Sequence, residues 1–140
     1  MRRSFLVLAA AAVVAPGLAT AQVEADNITR VVVQVSDADP ARWHLALNNA
    51  KNLQDALGAN KVMVEIVAYG PGIGMLRFDA PTNSRVTEAA KNGVTIRACE
   101  NTMRNQRLTR ADMHPMITYV PAGVVEIVKR QQQGWAYLRP

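Results

Sequence analysis

Cysteine occurs once in this chain of 140 residues, at Cys99. That scarcity excludes an internal disulfide framework and any dithiol chemistry that needs a second, resolving thiol in the same chain. Aromatic residues make up 5% of the sequence, too few for a surface on which bases stack. Charge is modest, 19% of residues with a formal net of +5, and it is dispersed, which fits ordinary solvated faces and not a nucleic-acid partner. The two histidines, His44 and His114, have no second ligand at metal-binding spacing, so no metal is expected. There is neither a P-loop nor a GxGxxG segment, and no cofactor is expected.

Long apolar runs are missing too. The longest, Phe5 to Val14, falls short of the roughly 18 residues that span a bilayer, so stable membrane insertion is not expected. Together with Arg2 and Arg3 before it and Ala19-Thr20-Ala21 after it, the run reads as a cleavable export signal over residues 1–21. Arg2-Arg3-Ser4-Phe5-Leu6 also fits the core of a twin-arginine signal, although the general secretion route is the simpler reading. A periplasmic location follows, in an oxidising compartment. Residues 22–140 are enough for one domain held by its own core. Loss of Arg2 and Arg3 lowers the net charge to about +3.

The hydropathy pattern alternates strands with helices. Arg30 to Ser36 contains the β-branched run Val31-Val32-Val33-Gln34-Val35, as strands buried on both faces do. Asp39-Pro40 supplies helix-start chemistry for Ala41 to Leu57, and Gly58 stops that helix. Lys61 to Tyr69 is a second strand with Glu65 as its one acid, ended by Gly70-Pro71-Gly72-Ile73-Gly74. Short helical pieces are expected over Met75 to Asp79 and Asn83 to Lys91, then a strand over Val94 to Ala98 and a helix over Glu100 to Arg107. Thr109 to Asp112 resembles a capping signal. Met116 to Val120, Val124 to Gln133 and Trp135 to Leu138 complete the chain as strand, helix and strand, with Val124, Val125, Ile127 and Val128 as the apolar side of the helix. Five strands joined by helices imply an α/β fold with a mostly parallel sheet covered on both faces.

Ligands of such sheets gather outside the carboxyl ends of the strands. Cys99 and the Gly70 to Gly74 loop both fall at that edge. Strand alternation places Thr95, Arg97 and Cys99 on one side, where a guanidinium would favour the thiolate over the thiol. Free N–H groups at the start of the following helix would act in the same direction. The opposing reading is a small buried hydrophobe with an inert thiol. The glycine loop has two readings as well, an N–H cradle for an anion or a plain tight turn. His114 is a loop residue within reach of Cys99, and the Asn48, Asn49 and Asn52 group reads most simply as a polar helix face, with at least one specific hydrogen bond as the other reading.

Three segments, Val64-Glu65-Ile66-Val67-Ala68-Tyr69-Gly70-Pro71-Gly72-Ile73, Ala98-Cys99-Glu100-Asn101-Thr102-Met103 and Val120-Pro121-Ala122-Gly123-Val124-Val125-Glu126, together resemble the DsrE/DsrF-like family of small sulfur-relay proteins. The resemblance implies a three-layer α/β/α domain, self-association into a homo-trimer or homo-hexamer, and a cysteine that carries sulfane sulfur as a persulfide between donor and acceptor thiols. Cys99 falls where that cysteine is expected. Arg97, Asn101, Tyr69, Gly70, Pro71 and Gly72 are then the candidate substrate-binding residues, with Tyr69 standing where relatives often carry His. The competing class is a non-catalytic oligomeric binding or scaffold protein with a small-anion pocket at the same edge.

Overall fold

The computed structural model describes residues 26–140, so the expected export signal over residues 1–21 lies outside the described residues. Five strands, β1 (Thr29–Val35), β2 (Val62–Ala68), β3 (Thr95–Cys99), β4 (Thr118–Val120) and β5 (Ala136–Leu138), form one sheet in the order β4-β3-β2-β1-β5. Every pairing is parallel. The expected three-layer α/β/α arrangement is therefore present, with the parallel character complete. Among the described residues no helix is long and apolar enough to cross a membrane.

The first helix, α1 (Pro40–Leu57), is set by local chemistry at both ends. Asp39 Oδ1 accepts from the Ala41 N–H at 2.9 Å, and Pro40 opens the first turn, where a missing N–H costs nothing. Gly58, at φ +94°, closes the helix with its N–H on Gln54 O, the left-handed stop glycine tolerates best. Trp43, Ala46, Leu47 and Ala50 are its buried stripe, and they join α2 (Asn83–Lys91) on the large core beneath β1 and β2. Arg85 of α2 donates to Asn48 Oδ1 at 2.6 Å, a specific asparagine contact on α1 where a plain polar face is the simpler reading of the sequence.

Two elements differ from the sequence pattern. The expected helical piece over Met75 to Asp79 is displaced toward the glycines: a 3-10 helix spans Gly70–Leu76, because Pro71 presets its first turn and Gly70 takes φ +54°. On α4 (Gly123–Gln132) only Gly123 and Ile127 are buried, while Val124, Val125 and Val128 are exposed. The side facing the sheet is occupied by Glu126 and Arg130 instead.

His114 does not approach Cys99 as a partner. It is buried against α2, where Nδ1 accepts from the Met116 N–H at 3.1 Å and Nε2 meets Thr87 Oγ1 at 2.8 Å. Those contacts fix a neutral ring with the proton on Nε2, since Nδ1 is an acceptor. Burial lowers its pKa, partly opposed by a hydrogen bond to the Asn83 backbone. The unfolded chain thus binds the proton more readily. Stability is fully present above about pH 6.5 and is lost as pH falls through the lower folded value. Urea denaturation at about pH 7.5 and about pH 5 is expected to show this loss, up to about 1.4 kcal/mol per pH unit. His114→Asn, which keeps the acceptor for Met116, should flatten that part of the profile; an unchanged acid slope would refute the assignment.

Candidate functional site

Cys99 ends β3 and is the residue before α3 (Glu100–Asn105). Its neighbours Ile96 and Ala98 join the large core, so alternation turns Arg97 and Cys99 to the α4 side of the sheet. The thiol is 4% exposed, and the flanking Asn101 and Pro121 are at the surface. The sulfur thus lies one residue below solvent.

Burial alone would raise the pKa of this thiol. The Thr102 hydroxyl and the backbone N–H groups of Gly123, Thr102 and Asn101 outweigh it and hold the thiol below its ordinary value, since donors aimed at sulfur favour the anion. Thr102 is the strongest of these. Its oxygen accepts the Gly70 N–H at 2.8 Å, which leaves its own proton for the sulfur. The Asn101 N–H is shared, because it also donates to Pro121 O at 3.1 Å.

Gly123 is required by close approach. A Cβ there would stand 2.9 Å from Tyr69 Cβ and 3.3 Å from Cys99 Cβ, tighter than side chains tolerate without movement. Tyr69, Gly70, Thr102 and Gly123 are thereby gathered around Cys99 by three different connections of the fold. Thr102 and Gly123 escaped the sequence reading. Their signals were present: Thr102 is three residues after Cys99, at the capping-box position, and Gly123 opens a helix after Pro121-Ala122.

Arg97 is placed otherwise than expected. Its Nε lies 3.1 Å from Glu65 Oε1 and 3.8 Å from Glu126 Oε1, so the guanidinium answers carboxylates, and the thiol is favoured as an anion by hydrogen bonds instead. The Asn101 side-chain oxygen is engaged by Arg104. In the glycine loop, the Gly70 N–H serves Thr102 and the Gly72 N–H donates to Tyr69 O at 3.1 Å. Pro71 has no N–H at all, so these donors form a turn and not an open cradle. A cleft of about 180 Å³ lined by Glu100, Met103, Arg104, Leu108, Thr109 and Arg110 runs along α3, and Cys99 is not in its lining. Among the described residues no cluster of three or more His, Cys, Asp or Glu side chains could hold a metal.

A five-strand parallel sheet between helices, with a single cysteine at the end of its third strand, defines an α/β/α domain, and the solved structures it is similar to have the DsrE/YchN-like fold. A structure titled as a protein of unknown function, MTH1491 from Methanobacterium thermoautotrophicum, matches with a TM-score of 0.76 and 38% identity over 80% of this chain and 99% of that one. The chain belongs to the family of that protein. Two further structures share the fold: the BT1422 protein of unknown function from Bacteroides thetaiotaomicron, at TM-score 0.65 and 14% identity over 79% of this chain and 94% of that one, and the ychN protein of E. coli, at 0.62 and 12% over 81% and 99%. No protein-family model and no curated protein matches the sequence.

Proposed function

We propose that this is an exported sulfur-handling protein in which Cys99 carries sulfane sulfur between thiol donors and acceptors. The observation that carries the reading is the placement of Cys99 at the carboxyl end of β3, directly before α3 and packed against Gly123, where burial, which would raise the thiol pKa, is outweighed by hydrogen bonding that lowers it. In the proposed cycle the thiolate attacks the outer sulfur of a persulfide or polysulfide. The donor S–S bond breaks, and the donor leaves as a thiolate with the bonding pair. Cys99-S-S⁻ results; an acceptor thiolate then takes the outer sulfur and returns Cys99 to its starting state. The exchange is balanced without an external oxidant. The exposed Val124, Val125 and Val128 of α4 offer a surface that a second copy would cover, in keeping with a homo-trimer or homo-hexamer.

A non-catalytic binding or scaffold role is favoured by one observation, the near-complete burial of the thiol. Alkylation of the native protein against pH separates the two. The carrier reading expects reaction in the folded state with a midpoint below that of a free thiol. A sulfur shielded until denaturation would leave the binding reading standing. Thr102→Val is expected to raise the midpoint by about one pH unit, since a hydrogen bond to a charged group is worth about 1.5 kcal/mol or more. Thr102→Ser, which retains the hydroxyl, should return it.

A further inference from the structure

The α4 layer is held to the sheet largely by charge. Of its ten residues only Gly123 and Ile127 are buried, and Ile127 packs on Val32 and Val67 in a small cluster. The remaining contact is ionic. Glu65 of β2, 2% exposed, places Oε2 2.9 Å from Arg130 Nη2, and Glu126 Oε1 lies 3.0 Å from the same nitrogen. Arg97 of β3 completes the group from the other side, 3.1 Å from Glu65 and 3.8 Å from Glu126. Its Nη1 reaches Thr118 of β4 at 3.4 Å, and Arg130 lies 4.7 Å over the Trp135 ring. Two acids and two guanidiniums thus meet between sheet and helix, where burial raises the Glu65 pKa against the pull of Arg130 and Arg97.

Such a cluster is a poor way to gain stability, because desolvating four charges costs about as much as their attraction returns, and apolar side chains would serve as well. What ion pairs add is register. Apolar contact is non-directional and lets a helix slide, whereas Arg130 held between two carboxylates fixes where the helix lies. The cluster also sits beside the thiol in the chain. Arg97 is two residues before Cys99 on the same face of β3, and Glu126 is one turn after Gly123 on α4.

We propose that Arg130 and Glu126, through Glu65 and Arg97, are positioning residues for Cys99: they lock α4 on the sheet where Gly123 packs against Cys99 and Tyr69. The proposal rests on the reading of Cys99 as a working thiolate. With the lock released, α4 keeps its Ile127 anchor but loses its fixed register, and Gly123 no longer holds its place against Cys99.

The test compares the pH dependence of Cys99 alkylation by iodoacetamide in the full chain and in Glu126→Gln and Arg130→Gln, with thermal melting recorded alongside. The expected result is a midpoint raised by about one pH unit in both variants, a roughly tenfold smaller thiolate fraction near neutrality. Lower melting temperatures with an unchanged midpoint would overturn the proposal, because a merely structural cluster has no effect on the thiol. Where either variant fails to fold, Arg130→Lys keeps the charge but replaces the planar guanidinium, held between Glu65, Glu126 and the Trp135 ring, by a flexible ammonium; it should shift the midpoint in the same direction by less, and no shift would overturn the proposal. A parent protein with an ordinary midpoint overturns both the thiolate reading and the lock. A low parent midpoint that the variants do not move overturns the lock alone.

Discussion

Incubated with polysulfide, the native protein is expected to gain the mass of one sulfur atom, about 32 Da, and Cys99→Ser to gain none. The effect is all-or-none because Cys99 is the one sulfhydryl in the sequence, so no other thiol can form the adduct. A reductant should remove the added mass, as a persulfide is a reversible cap. Intact-mass spectrometry reads all three states in one sample series. An unmodified parent chain, tested folded and at a pH above its alkylation midpoint, would sink the carrier mechanism. Equal uptake by Cys99→Ser would show that the sulfur is held elsewhere.

Gly72→Ala is expected to cost roughly 3 kcal/mol or more, a large part of the 5–15 kcal/mol that holds a domain of this size. The added Cβ would stand 2.5 Å from the Val35 carbonyl carbon and 2.8 Å from the Ser36 nitrogen. Both are backbone atoms at the end of a central strand. A flexible side chain could swing aside; the end of β1 cannot, since it is paired with β2 through Val35 and Ala68 and accepts the Tyr69 N–H. The strain would fall on the turn that carries Gly70, and through it on Thr102. Urea denaturation and the yield of soluble protein measure the effect, and a variant that melts with the parent would show the packing to be looser than described.

The strands and the ends of α1 were legible in the sequence because their causes are local. Val31 to Val35 is a nearly continuous β-branched run, as a strand buried on both faces must be, and Asp39, Pro40 and Gly58 each act on the residues beside them. The site was legible only in part. Cys99 was visible as a thiol at a strand end, but Glu65 and Arg130 are brought together by the whole fold, and no short-range pattern announces their pairing. The same distance effect hid the partners of Arg97: its alternation with Cys99 was legible, while the carboxylates it meets come from β2 and α4. For α4 the valines suggested a buried stripe, yet Ile127 alone reaches the core and the charged side faces inward. His114 likewise gave no sign that Thr87 of α2 would enclose it.

The Thr102 hydroxyl, whose oxygen already accepts the Gly70 N–H, keeps its own proton free to donate. Donation of that kind favours negative charge on the first sulfur. On the carrier reading this has a bearing on release. Accepting a second sulfur moves the charge outward by one S–S bond, about 2 Å, beyond the reach of donors set for the first atom. The loaded form is then less well held than the empty one, which makes Cys99 a place sulfur passes through and not one where it is stored.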